Sequence, residues 1–168
     1  MEAPGCVFKF KKPTQKGRRV ISKSLMMVPS DHACSDALGD KVFGSMAPDS
    51  VTLVAKKDPL IVAYGEKLFW KHGNLHHKIP YIRQEICELS RFLIAAREEE
   101  STSKEGSAGS GISDLQSCID SSKFLQVIGA VKKLCGYMPV SNSYKNPSLA
   151  QKLGHSLKKC SLALKAHA

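Results

Sequence analysis

The segment from Lys71 to Lys78, KHGNLHHK, concentrates side chains that could ligate a metal ion or contact a phosphate group. Its histidines are His72, His76 and His77. A structural zinc site needs a full tetrahedral ligand set, and no cysteine or carboxylate lies within a few residues to complete one. We therefore expect no metal and no other cofactor. We predict instead that Lys71, His76, His77 and Lys78 contact phosphates.

A second cationic group lies near the end of the sequence. Lys152, His155 and Lys159 recur at steps of three and four, which is typical of one helix face, and Lys158 flanks them. No aspartate or glutamate follows Asp120, so nothing nearby in the sequence neutralises these side chains. We predict that this face contacts DNA phosphates. The simpler alternative is a solvated, inert surface.

Further basic residues could extend such a surface. Arg83, Ser90 and Arg97 are spaced by seven residues, so both guanidiniums are expected along one helix edge, and we add Arg91 to this set of predicted DNA contacts. A basic run near the N-terminus is a nuclear-import signal, a phosphate-binding arm or a solvated tail. Its members are Lys9, Lys11, Lys12, Lys16, Arg18, Arg19 and Lys23.

Catalytic motifs are not found in the sequence. Serines and cysteines are plentiful, but there is no nucleophile elbow, P-loop or glycine-rich phosphate cradle. Trp70 is the single tryptophan, and the four tyrosines do not cluster around it as a base-stacking platform. We expect most of these aromatic residues to be core or loop anchors. We predict that the protein is not an enzyme.

The overall charge favours a polyanionic partner. The 168 residues include 25 Lys and Arg against 15 Asp and Glu, a net charge of +10. Residues 120–168 alone carry eight basic residues and one acidic residue. Such a one-sided surface suits nucleic acid first and an anionic membrane second. No run approaches the roughly 20 apolar residues of a membrane-spanning helix, so we expect no membrane partner.

The six cysteines indicate a reducing compartment. They are not arranged as C-x-x-C pairs, their spacings match no zinc module, and several fall on apolar helix faces, where a thiol behaves as a small hydrophobe. The first residues are neither basic nor followed by an apolar run, so they do not resemble a signal peptide. We expect the nucleus or the cytosol, and the nucleus fits the basic surface best.

The elements that must position these residues are helices. Asp58 and Pro59 predict the start of one helix, and Pro80 that of the next, with Gly73 as a left-handed C-cap between them. Asn146 and Pro147 predict the start of the last helix. The predicted buried faces are Leu60, Ile61, Tyr64 and Leu68; Ile82, Ile86, Leu89, Leu93 and Ala96; Phe124, Val127, Ile128, Val131 and Cys135; and Leu149, Leu153, Leu157, Cys160 and Leu164.

The predicted fold is therefore all-α, a small bundle of about five helices in one domain. Residues 1–44 are expected to be a loosely structured, basic tail, and residues 45–168 the helical domain. Inside that domain, residues 98–113 are rich in serine and glycine and predict a flexible linker, which lengthens a helix–helix connection.

Three segments resemble a family of proteins. SVTLVAKKDPLIVAYGEKL, YIRQEICELSRFLIAAR and PSLAQKLGHSLKKC are similar to a multi-copy family of vertebrate, mainly fish, transposon-derived proteins. The resemblance covers about residues 45–168. In that family these segments form a helical region akin to the SAM-like, core-binding part of tyrosine recombinases, the phage integrase class. The resemblance implies a helical domain that clamps duplex DNA beside a separate catalytic domain.

Part of the recombinase pattern is missing. Those enzymes use an arginine, a His-x-x-Arg pair and a tyrosine nucleophile, and here the sequence from His155 to Lys158 only imitates the pair. Relatives carry zinc-finger-like segments upstream, where Cys6 and Cys34 are too few to bind zinc. We therefore expect a fragment or truncated copy without the catalytic half.

The predicted function is binding of duplex DNA by the helical fragment of a mobile-element-derived, recombinase-like protein, with further copies of the same chain as a second partner. The alternative is a nuclear adaptor, a helical module that contacts proteins and not DNA. A genomic relic with no present activity is a third hypothesis.

Overall fold

Six α-helices and one short hairpin make up the part of the chain that the computed structural model describes, residues 34–102 and 111–167. The helices are α1 (Asp36–Lys41), α2 (Ser50–Lys57), α3 (Pro59–His72), α4 (Ile79–Thr102), α5 (Phe124–Cys135) and α6 (Pro147–His167). The two-residue strands β1 (Tyr137–Met138) and β2 (Ser143–Tyr144) pair antiparallel. The predicted all-α class is confirmed.

Helix α4 is the centre of the bundle, since it packs against α2, α3, α5 and α6. Its inner face is the one that the apolar period predicts, and every member of it is fully buried: Ile82, Ile86, Leu89, Leu93 and Ala96. Burying one such large apolar side chain stabilises the fold by about 1.5–3 kcal/mol. Burial of this face therefore contributes to the stability of the bundle.

Helix α3 begins as its sequence predicts. The Asp58 carboxylate accepts hydrogen bonds from the amides of Leu60 (3.0 Å) and Ile61 (2.9 Å), and Pro59 occupies the first helical position. The predicted inner stripe of α3 is buried in full: Leu60, Ile61, Tyr64 and Leu68.

The prediction of a left-handed cap at Gly73 is wrong, since this residue has right-handed angles (φ −63°, ψ −22°). The reason for glycine is close approach, because a Cβ there would lie 2.5 Å from the Phe69 carbonyl oxygen and 2.9 Å from the Phe69 ring. Gly136, by contrast, ends α5 with φ +66° and so takes the left-handed conformation that favours glycine.

The ordered body begins earlier than expected. A loosely structured tail reaching residue 44 is wrong for residues 36–44, which form α1 and a 3-10 turn with Leu38, Val42 and Phe43 buried. Ser35 caps α1, and its amide and hydroxyl both donate to the Glu66 carboxylate (2.6 and 3.1 Å). A contact with α3 therefore holds a helix too short to show an apolar period.

The predicted linker also begins too early, because α4 continues through residues 98–102. The ammonium of Lys133 on α5 lies 3.0 Å from the Glu98 carboxylate and 3.4 Å from that of Glu99. These ion pairs join the last turns of α4 to α5. Residues 103–110 of the predicted linker lie outside the described residues. The linker was also predicted to end too late, because Ile112 is buried in the core.

Helix α5 buries part of its predicted face. Phe124 (61% exposed) and Ile128 (37% exposed) lie outside the core, whereas the other three predicted residues are buried or pack against it: Val127, Val131 and Cys135. Helix α5 approaches α4 closely, since a Cβ at Gly129 would lie 3.2 Å from the Glu99 carboxylate. The small residues of α5 therefore face α4, and the large ones at its start do not.

Candidate nucleic-acid interface

Helix α6 has the predicted apolar face. Leu153 and Cys160 are fully buried, and Leu149, Leu157 and Leu164 pack against the core cluster as partly buried side chains. This face lies on α3, α4 and α5, so the orientation of α6 is set by three neighbouring helices. The opposite side of α6 faces solvent.

A buried polar cluster holds α6 in register with α3 and α4. The Glu85 carboxylate accepts from the hydroxyls of Ser156 (2.8 Å) and Tyr64 (3.2 Å), and all three side chains are buried. Burial raises the pKa of the Tyr64 phenol, so the hydroxyl stays a donor. One carboxylate therefore fixes a side chain from each of two neighbouring helices.

The four predicted DNA contacts of α6 share its solvent side. Lys152, His155, Lys158 and Lys159 are all exposed. At about 100° per residue they span an arc of about 120°, so they form one face and are not scattered around the helix. We call these four residues the α6 basic face.

The imidazole of His155 is oriented by its own helix. Its Nδ1 atom lies 2.9 Å from the Gln151 carbonyl oxygen. A carbonyl can only accept, so Nδ1 carries the hydrogen and Nε2 is left for an outside partner. Neutral His155 offers that partner an acceptor, and protonated His155 offers a donor.

One member of this face has an acidic neighbour. The Lys152 ammonium lies 3.8 Å from the Glu88 carboxylate of α4, which also accepts from the Gln84 amide (2.8 Å). The sequence offers no acid near Lys152 along the chain, and the one beside it comes from another helix. Lys158 and Lys159 make no ion pair with any residue in the described ranges.

Helix α3 carries two exposed lysines, of which Lys71 was a predicted phosphate contact and Lys67 was not. Lys67 and Lys71 are exposed one turn apart on α3, which packs against α6. The repeated lysine spacing was the signal available for Lys67.

The predicted arginine edge does not join this surface. Arg83 donates to the Ser45 carbonyl (3.2 Å), and Arg97 donates to the Ser113 carbonyl. Both guanidiniums therefore hold neighbouring backbone segments. Exposed Arg91 lines a recess of about 400 Å³ between α2 and α5, together with Glu98 and Lys133.

The histidine loop forms a 3-10 turn, His76–Lys78, in which His76 and His77 are exposed. The Lys78 ammonium lies 6.0 Å from the centre of the Tyr81 ring, and the His72 ring meets the same tyrosine edge-on at 6.2 Å. Among the residues described, no group of three or more His, Cys, Asp or Glu side chains could hold a metal ion. The basic run from Lys9 to Lys23 lies outside the described residues.

Two further sequence expectations concern the aromatic residues and the membrane. Trp70 is not a core or loop anchor, because its side chain is 89% exposed on α3. Within the described part of the chain, none of the helices has the length and apolar character to cross a membrane.

Comparison with known proteins gives no relative. The chain matches no protein-family model, and neither the curated proteins nor the solved structures contain a match.

Proposed function

We propose that the protein binds duplex DNA through the α6 basic face, by contacts to the phosphate backbone. The observation that carries this proposal is the exposure of three lysines and one histidine on one side of a helix whose other side is buried. Lys152 and Lys159 are about 10 Å apart along the helix axis, so the face can reach several phosphates.

The chemistry of these side chains suits backbone contact without sequence readout. Lysine acts as a flexible point charge, and phosphate contacts position a protein on DNA without identifying bases. Arg83 and Arg97, which could make bidentate contacts, each donate one hydrogen bond to a backbone carbonyl of the protein itself. Affinity should therefore depend on salt more than on sequence.

The origin of the chain is part of the same proposal. The three segments that resemble the transposon-derived family fall in α2 and α3, in α4, and in α6, which are packed together. The resemblance supports a helical, DNA-contacting portion of a recombinase-like protein of mobile-element origin, working in the nucleus. Detection of the protein by fractionation or imaging tests the nuclear location.

The experiment is a salt titration of duplex binding. Replacing Lys152, Lys158 and Lys159 by Gln should weaken binding and lower the slope of log K against log salt by about 2–3, roughly one per lost phosphate contact. The matched control replaces Lys41, Lys57 and Lys132 by Gln, which removes the same charge elsewhere. Equal slopes for the two triple variants would contradict the proposal.

A second candidate function is a protein-interaction module, and one observation favours it. Helix α5 exposes Phe124, Ile128 and Leu125, which is 82% exposed. Adjacent exposed apolar residues are typical of protein contact surfaces. The partner that we propose for this apolar face is a second copy of the chain. Sedimentation velocity should show self-association that Leu125→Ser abolishes, and a monomer at all concentrations would remove this candidate.

A further inference from the structure

Trp70 projects from α3 into an open recess of about 700 Å³ that is lined by Glu66, Lys67, Trp70 and Lys71. The indole is 89% exposed, although Leu60, Ile61 and Leu68 of the same helix are buried. Tryptophan is highly buried on average and is enriched at binding interfaces. The indole therefore contributes little to the core and is available to a ligand.

The charges around the indole are mainly positive. Lys67 and Lys71 lie three residues before Trp70 and one after it, and their Cβ atoms are about 6 Å apart on the helix surface. The Glu66 carboxylate is engaged by the amide and hydroxyl of Ser35. The indole therefore lies beside two exposed ammonium groups, and the one nearby carboxylate already has two donors.

We propose that Trp70 stacks on an unpaired nucleobase while Lys67 and Lys71 contact the phosphates beside it. Aromatic stacking combined with a cationic groove is the general chemistry of single-strand binding. A paired base inside a duplex is covered on both faces, and exposing it costs a few kcal/mol. The ligand class is therefore single-stranded DNA or RNA, or a duplex with an unpaired base.

This inference extends the proposed function, because Trp70 lies on α3, which packs directly against α6. A membrane surface fits less well. Helices that lie in a membrane interface present a broad apolar face, whereas the apolar face of α3 is buried in the core.

The sequence supplies its own probe, since Trp70 is the single tryptophan and all indole fluorescence reports on this site. The full chain is titrated with an oligothymidine of about 12 nucleotides, within the site sizes of single-strand binders. A duplex of equal length and vesicles of phosphatidylserine and phosphatidylcholine form the other arms. Quenching by the single strand, at lower concentration than by the duplex, is the expected result.

Variants separate stacking from general attraction. Trp70→Ala should weaken oligothymidine binding about 5- to 100-fold, measured by the anisotropy of a labelled strand, and Trp70→Phe should retain part of the affinity. Val140→Ala is the control, since it removes another fully exposed apolar side chain that belongs to neither proposed binding surface. The exposure of Trp70 makes unfolding of the Trp70 variants unexpected, and circular dichroism checks it.

The outcomes distinguish this inference from the proposed function. If Trp70→Ala binds the single strand as wild type does, or if vesicles shift the indole emission and oligothymidine does not, the stacking proposal is overturned. Duplex affinity that depends on the α6 lysines would survive that result. Conversely, single-strand quenching with no effect of the α6 triple variant would keep the stacking site and reject the α6 basic face.

Discussion

The Asp58 carboxylate is hydrogen-bonded to the backbone of Leu115: its Oδ2 atom accepts from the Leu115 amide at 2.7 Å, across 57 residues of sequence. Its Oδ1 atom accepts from the amides of Leu60 and Ile61 at the start of α3. One buried carboxylate therefore caps α3 and also anchors the chain that follows the serine- and glycine-rich segment.

Replacement of Asp58 by Ala should be strongly destabilising. The substitution removes the cap and leaves three buried amides without their acceptor, and a buried group left unpaired costs about 1–3 kcal/mol. We expect a loss of about 3 kcal/mol or more in the free energy of unfolding, measured by urea denaturation. Asp120→Ala is the control, because Asp120 caps an exposed 3-10 turn through Ser122. Equal losses in the two variants would contradict a special role for Asp58.

Alkaline pH should destabilise the protein because the Cys160 thiol and the Tyr64 phenol are buried in the folded state. Burial raises the pKa of the Cys160 thiol from 9.0 to about 12, with the Asp58 carboxylate adding to the effect, so the unfolded chain loses this proton first. The contribution of this neutral thiol to the free energy of unfolding is therefore fully present below pH 9, and it is lost as the pH rises toward 12. One such group contributes a slope of up to about 1.4 kcal/mol per pH unit.

The test compares wild type with Cys160→Ala and Cys160→Val, which have no thiol to titrate. Both variants should be less stable than wild type near neutral pH because the packing is altered. Between pH 9 and 10, however, both should lose less stability than wild type. The Tyr64 phenol contributes little to the loss of stability in this range. Above that range, the raised pKa of Tyr64 adds a decline of the same sign in all three proteins. Parallel curves at every pH would show that Cys160 is not the group responsible.

Two glycines should respond to alanine in opposite directions. A Cβ at Gly73 would meet the Phe69 ring at 2.9 Å, whereas a Cβ at Gly154, in the interior of α6, meets nothing within 4 Å. Gly73→Ala should cost about 1–3 kcal/mol by overpacking. Gly154→Ala should gain about 0.5–1 kcal/mol, because alanine is the better helix former. Thermal unfolding of both variants measures these changes in stability. A Gly73→Ala variant that is more stable than wild type would contradict the close approach.

The sequence by itself determined the elements whose signals are local. The start of α3 at Asp58 and Pro59, the start of α6 at Pro147 and the buried stripe of α4 follow from capping chemistry and from the helical period. The end of α5 at Gly136 follows from the conformational freedom of glycine. Each of these features depends on residues within about one or two turns of each other.

Only the tertiary structure decided what depends on neighbours distant in sequence. Glu66 holds the short helix α1, Phe124 of α5 lies outside the core, and Glu88 reaches Lys152 from another helix. Arg83 and Arg97 donate to backbone carbonyls, and α3 presents Trp70 to solvent beside Lys67 and Lys71. The hydrophobic period and the charge count of a sequence describe each helix separately. The exposure and pairing of a side chain depend on which helices lie next to it.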